Sequence, residues 1–267
     1  MKPHPFFGKW ALVTGASNGI GRSISIELAS LGANLILVSR TKSRLDDLKK
    51  QLETQHQIQI FCLPIDLSDP HSPMTIQQFC LEHSIVLQII VNNAGVALKT
   101  SEEIDHPDQV AQLLQLTVIS LTDLCYRFLP GMIARREGYI LNISSVVAYF
   151  PVASTLVYHA AKAYVLAFTR SLHWEYSAKG IHITCSLPGA TKTGFAQASG
   201  LYVPEKLWRT YGSAESVAKA SIQALLHNQP ILIPGLGNKL MVWLSRFIPH
   251  YWIYAGQKKY WSRIRSS

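Results

Sequence analysis

The chain has 267 residues, of which 48% are hydrophobic and 15% charged. That is too apolar for a disordered chain and long enough for one large α/β core. The formal net charge is +9, but Glu215 is the last acidic residue. Lys219, Lys239, Arg246, Lys258, Lys259, Arg263 and Arg265 follow it, so +7 falls in the final 52 residues and the rest is nearly neutral. This distribution speaks against a general nucleic-acid surface.

Met1-Lys2-Pro3-His4 leads, with no signal-peptide pattern, towards a strand-like run at Trp10–Thr14. Buried parallel strands are expected at Asn34–Ser39, Gln59–Leu63, Leu87–Val91, Tyr139–Ile143 and His182–Leu187, with a shorter one at Ile231–Ile233 after Pro230. Helical periodicity marks Ile20–Leu31, closed by Gly32, then Ser43–Gln55, Val110–Leu129, Leu156–Ala178, closed by Gly180, and Ala214–His227. Alternating β and α predict a single-domain, Rossmann-type α/β fold over residues 1–235, a doubly wound parallel sheet with helices on both faces. The Gly-, Thr- and Ser-rich loop at about 189–212 is expected to be a lid. Residues 236–267 are expected to form a basic, aromatic, helical C-terminal extension. Cys62, Cys80, Cys125 and Cys185 are scattered without metal-ligand spacing. They are expected to be reduced apolar filler in a cytoplasmic setting, with no metal site.

The first strand runs into Thr14-Gly15-Ala16-Ser17-Asn18-Gly19-Ile20-Gly21 and then a helix. Glycines permit a tight turn and close approach of a ligand to the backbone, and the helix N-terminus offers free N–H groups to a pyrophosphate. An ordinary glycine-rich turn shares this composition, but the strand–turn–helix context opening an α/β chain points to a dinucleotide. At the end of the second strand, Val38-Ser39-Arg40 lacks the acid that would bind a ribose 2′-hydroxyl. Arg40, with Arg44 a turn later, suits a 2′-phosphate, so NADP(H) is expected over NAD(H). A solvated arginine opening a helix is the alternative. Tyr158 and Lys162 lie four residues apart on one helix face, where a cation favours phenolate over phenol. Such a pair also occurs by chance, and its meaning depends on the company it keeps.

Together these residues resemble the short-chain dehydrogenase/reductase family. The motifs stand in family order: Thr14-Gly15-x-x-x-Gly19-x-Gly21, Asp66 in Ile65-Asp66-Leu67, Asn92-Asn93-Ala94-Gly95, Asn142-Ile143-Ser144-Ser145, Tyr158-x-x-x-Lys162 and Pro188-Gly189. The resemblance spans about residues 8–235 and implies an NAD(P)-dependent oxidoreductase acting on a ketone/alcohol pair. It implies that Gly15, Ser17, Asn18, Gly19, Ile20 and Gly21 cradle the cofactor, and that Asp66, with Leu67 beside it, meets the adenine ring. Asn93, Ala94 and Gly95 would support the central strand and line the cofactor. Pro188, Gly189, Thr191 and Thr193 would close over the nicotinamide and its phosphate. Ser145 would hold the substrate oxygen, with Ser144 second in rank. Tyr158 would be the acid/base, and Lys162 would bind the nicotinamide ribose and tune the tyrosine. Taken singly, Ser145 and Asp66 also read as turn caps. Thr117 stands where the family usually has an asparagine that completes a proton relay with the lysine. A hydroxyl can donate and accept, so a water-linked relay through Thr117 is expected.

In the tail, Leu240, Trp243, Leu244 and Phe247 repeat at helical spacing, and Trp252, Tyr254, Tyr260 and Trp261 follow among lysines and arginines. That mixture suits a peripheral contact with an anionic membrane surface. Packing on the core, roofing the substrate site or a subunit contact would use the same stripe. No 18-residue run of the tail is free of charge, so no bilayer span is expected there. The tail is loosely similar to those of bacterial members and microsomal relatives that reduce lipid carbonyls, which implies a hydrophobic or acyl-type substrate. The family's pairing of its two long central helices implies a homodimer or homotetramer. A non-catalytic NADP-binding sensor or scaffold with the same fold is the competing class, and Thr117 is the feature in its favour.

Overall fold

The structure, a computed structural model, describes residues 4–97, 106–150, 155–195, 211–249 and 251–256. Its strands are β1 (Trp10–Thr14), β2 (Asn34–Val38), β3 (Ile60–Leu63), β4 (Leu87–Asn92), β5 (Gly138–Ile143) and β6 (Ile181–Ser186). β7 (Thr191–Lys192) and β8 (Gly212–Ser213) pair as a separate ribbon, and β9 (Ile231–Leu232) returns to the main sheet. The main sheet is parallel, in the order β3-β2-β1-β4-β5-β6-β9. After β3 the chain crosses to the far side of β1, which opens a crevice at the carboxyl ends of β1 and β4, where doubly wound sheets place ligands.

Alternation along the strands feeds two cores. Ala11 and Val13, Leu35 and Leu37, and Ile89 and Val91 face one side. There they meet α1 (Gly19–Ser30), α2 (Lys42–Gln55) and α7 (Ala214–Leu226) through Ile24, Leu28, Leu48 and Ile222. Leu12, Ile36 and Ile90 face the other side. They meet α3 (Ser72–Glu82), α5 (Ser120–Arg135) and α6 (Leu156–Tyr176) through Ile76, Leu124, Val165 and Leu172. The strands are buried at nearly every position because both faces are covered. Gly32, at φ +81°, follows α1, and Gly180, at φ +83°, follows the short 3₁₀ turn Ser177–Lys179 after α6; both are left-handed positions that favour glycine.

Predicted strand ends lie within a residue or two of those observed. The helix α3 was not among the expected elements. It opens at Ser72-Pro73 and, past that proline, buries only Ile76 and Cys80 as apolar residues, so its periodicity is weak. The central helix is longer than expected. It starts at Pro107 as α4 (Pro107–Leu114), passes through a π-helical turn (Gln115–Ile119) and continues through α5 to Arg135. Pro130 and Gly131 fail to end it because Leu129 and Met132 anchor the last turns in the core; Arg136, at φ +52°, ends it instead. Pro107–Arg135 has the length and apolarity of a membrane span, yet Leu121, Leu124, Cys125, Leu129 and Met132 make it a core helix. All four cysteines are free thiols, and Cys80, Cys125 and Cys185 are buried.

Beyond β9, α8 (Leu236–Ser245) and a short helix at 251–256 pack on a third apolar cluster. Val242 and Ile253 meet Val146, Phe150, Leu166 and Leu187 there. Trp243, Leu240, Leu244 and Phe247 turn away from the core and are exposed. Tyr260, Trp261 and the basic residues at 258, 259, 263 and 265 lie outside the described residues, as does the middle of the expected lid, 196–210.

Candidate active site

The glycine turn links β1 to α1 at the crevice. Gly15 and Gly19 have φ of +65° and +55°. A Cβ at Gly21 would collide with the Gly15 carbonyl oxygen and the Asn93 amide, so the third glycine lets the helix start against the turn. Asn18 is extended and caps α1, accepting from Gly19 N at 2.8 Å. Ile20 packs against the core below. Asn93 locks the turn to the end of β4: its Nδ2 donates to the Thr14 carbonyl at 3.0 Å and the Gly15 carbonyl at 3.3 Å. Thr14 Oγ1 accepts from Asn93 N at 2.9 Å and Ala94 N at 3.0 Å. Thr193 and Gly194 rest over the turn; a Cβ on Gly19 would lie 2.9 Å from the Thr193 side chain. The result is a backbone cradle at a helix N-terminus that side chains would fill, which fits a pyrophosphate.

Arg40 and Asp66 sit beyond neighbouring strands, both exposed, with Arg40 Nη1 3.9 Å from Asp66 Oδ2. Asp66 Oδ1 accepts from Ser68 N at 2.9 Å, so one oxygen caps the turn while the other faces Arg40. The capping alternative is therefore part of what this residue does. Leu67 turns inward: its side chain is core and its carbonyl accepts from Ser120 Oγ at 2.6 Å. The Ser39 hydroxyl, at the end of β2, is buried without a partner. The unpaired Ser39 hydroxyl, followed in sequence by an Arg40 whose guanidinium is exposed and only loosely paired with Asp66, fits the polar end of a nucleotide ribose. Sequence reasoning passed over Ser39 because burial and lack of a partner leave no mark in composition.

The chemical residues gather at the ends of β5 and β6. Ser144 Oγ donates to the Lys162 carbonyl at 2.7 Å and is committed to holding α6. Ser145 is the neighbour that faces Tyr158. Its hydroxyl donates to the Pro188 carbonyl at 3.4 Å and accepts from Val147 N at 3.4 Å, capping the 3₁₀ turn Val146–Tyr149, and it is close enough to Tyr158 to favour the phenolate. Lys162 Nζ lies 5.7 Å from the centre of the Tyr158 ring and donates to the Ile143 carbonyl at 2.8 Å. Phe195 lies against Tyr158, with ring centres 5.7 Å apart. Thr191 Oγ1 donates to the Gly189 carbonyl at 2.9 Å, and Asn238, at the start of α8, packs directly on Gly189. Phe195 and Asn238 were not among the expected site residues, since each arrives from a loop or the tail.

The electrostatics differ from the simple expectation that Lys162 favours phenolate. The Tyr158 ring is partly exposed, but burial around its hydroxyl pushes the phenol up to about 12, against a lowering by the Ser145 hydrogen bond. Burial also pulls the Lys162 ammonium down to about 8. Desolvation dominates both groups and favours their neutral forms.

Thr117 lies in the π-helical turn, 1% exposed, and its Oγ1 has no partner. A mid-helix threonine usually returns its hydroxyl to the carbonyl four residues back. Here a Cβ on Gly95 would sit 3.8 Å from Thr117 Oγ1 and 3.5 Å from Lys162 Nζ, so both groups border the same space. π-Turns of this kind are frequent at functional sites.

Known proteins resemble this chain over most of its length. The family model described as short chain dehydrogenase matches residues 9–201. A very-long-chain 3-oxoacyl-CoA reductase of Danio rerio is 37% identical over 188 residues, covering 69% of this chain and 58% of that protein. The Bos taurus reductase of the same name is 29% identical over 258 residues, covering 92% of this chain and 80% of that one. A short-chain dehydrogenase of Sphingobium yanoikuyae, solved in complex with NADPH, superposes with a TM-score of 0.78 at 29% identity, over 85% of this chain and 88% of that one. The cradle at β1, the cluster at the ends of β5 and β6, and the match over most of the chain establish it as a member of the short-chain dehydrogenase/reductase family of NAD(P)-binding oxidoreductases.

Proposed function

We propose that the chain reduces the keto group of a hydrophobic, acyl-type substrate at the expense of NADPH, giving the secondary alcohol. The observation that carries this reading is the meeting of Ser145, Tyr158 and Lys162 beside the glycine cradle. The bound dinucleotide supplies the hydride. Gly15, Ser17, Asn18, Gly19, Ile20 and Gly21 hold its pyrophosphate, and Asp66, with the Leu67 backbone, meets its adenine. Ala94 and Gly95 line its path, and Pro188, Gly189, Thr191 and Thr193 close over the nicotinamide end. Arg40 and the Ser39 hydroxyl favour a 2′-phosphate, the basis for preferring NADPH to NADH.

Ser145 donates to the substrate oxygen as negative charge develops there. Tyr158, neutral at physiological pH with a phenol near 12, gives that oxygen its proton. Lys162 orients the nicotinamide ribose and stabilises the phenolate left behind. A water between Thr117 and Lys162 would satisfy the orphaned hydroxyl and return a proton to the site.

The relatives, whose names specify 3-oxoacyl-CoA reduction, support the acyl substrate. Exposed Ile119 and Tyr126 on the central helix, with Leu156, Tyr164 and Trp174 on α6, support pairing of these helices in a homodimer or homotetramer. The free thiols suit a reducing, cytoplasmic-type compartment.

Purified enzyme offered NADPH or NADH with a short ketone, a sterol ketone and a long-chain 3-oxoacyl thioester is expected to turn over the thioester with NADPH. The Thr117 departure makes a silent NADP-binding sensor the competing reading. Tight NADPH binding with no turnover on any ketone would favour that reading and end this one.

A further inference from the structure

The amphipathicity of α8 runs against the usual pattern. At 100° per residue, Leu236, Leu240 and Trp243, with Phe247 in the turn that continues the helix, fall within an arc of about 60°. All four are more than half exposed. The opposite face, with Asn238, Val242 and Ser245, is the one that packs on the protein. The larger, more aromatic face is thus the outer one. In the 251–256 helix, Tyr251 and Trp252 are 74% and 67% exposed. Lys239 and Arg246 lie along one edge of the stripe, exposed and, among the described residues, without an ion pair.

Contiguous exposed apolar surface of this kind marks an interaction site. Its charge selects the partner. No acid follows Glu215, and Lys258, Lys259, Arg263 and Arg265 add four more cations by sequence. A second copy is a poor fit, because an isologous interface would set this acid-free cationic surface against itself. An anionic lipid surface accepts both parts: the aromatic and leucine side chains enter the headgroup boundary, and the lysine and arginine heads meet lipid phosphates. We infer that the outer face of α8 and the 251–256 helix docks this chain peripherally on an anionic bilayer.

The helix that carries the docking face also packs beside the site. Val242 packs in the cluster that holds Val146, just after Ser145, and Asn238 packs on Gly189. Docking therefore places lipid on the outer side of a helix whose inner face packs against the segments that follow β5 and β6. The inference stands on the exposed stripe and the charge alone and does not require the acyl-substrate reading.

The test is co-sedimentation of the full-length protein with vesicles of pure phosphatidylcholine and with vesicles containing phosphatidylglycerol, alongside K239E/R246E and L240S/F247S variants. NADPH binding checks folding, and sedimentation velocity checks mass. Binding is expected to anionic vesicles, weakened at least about tenfold by K239E/R246E and by high salt, and weakened also by L240S/F247S, with NADPH binding unchanged. Equal binding to both vesicle types, no binding to either, or a fall in oligomeric mass in L240S/F247S without loss of vesicle binding would overturn the inference.

Discussion

At the scale of single residues, burial rather than pairing governs the two reactive groups. Sequence spacing placed Tyr158 and Lys162 on one helix face but could not show that Ser144 is committed to the Lys162 carbonyl, which leaves Ser145 to face Tyr158. Nor could it show that desolvation pulls Lys162 to about 8. Between pH 8 and 10.5 the unfolded chain keeps a proton that the folded chain has lost, so the folded state gains stability as pH rises through that window. The gain is on the order of 3 kcal/mol for a shift of this size. Denaturant titrations of the wild type and Lys162→Met without cofactor should show the wild type gaining on the variant from pH 8 to 10.5. Parallel pH dependences would refute the buried-ammonium account.

Thr117 is also a question for this scale. Its hydroxyl is buried and unpartnered beside the space that Lys162 Nζ borders. Loss of the hydroxyl in Thr117→Val should lower kcat by about tenfold or more if it helps move a proton. Thr117→Asn, which restores the family's usual side chain, should keep or raise kcat. A Thr117→Val enzyme with unchanged kcat and pH profile would reduce the residue to filler in the π-helical turn.

At the scale of elements, the strands were legible because parallel strands buried on both faces must be near-continuous apolar runs. The glycine turn was legible because left-handed positions and close helix starts leave few choices of residue. Its geometry supports a comparison. Gly21→Ala forces a Cβ against the Gly15 carbonyl, whereas a Cβ on Gly237 in α8 meets nothing within 4 Å. Gly21→Ala should lower the melting temperature by about 5 °C or more and weaken NADPH binding, while Gly237→Ala should leave both intact or slightly improved. Thermal melts with and without NADPH decide this, and equal behaviour of the two variants would contradict the packing described here. The helix α3 escaped the sequence because few of its residues are buried and its apolar face is sparse. The tail showed a helical stripe, but periodicity reveals that a face exists and not which way it points. The cluster around Val146 takes Val242 and leaves Trp243 outside.

For the whole molecule, strand order converts scattered motifs into one site. Crossing from β3 to β4 around β1 brings Gly15, Asn93, Ser145 and Tyr158, spread over more than half the chain, to the carboxyl ends of the central strands. On the proposed function, Tyr158 supplies the proton for NADPH-driven carbonyl reduction. Steady-state NADPH consumption with a long-chain 3-oxoacyl thioester, measured for the wild type and Tyr158→Phe, tests it most directly. Turnover is expected of the wild type, with a loss of about a hundredfold or more in the variant and NADPH affinity retained. A Tyr158→Phe enzyme that consumed NADPH at the wild-type rate would contradict it.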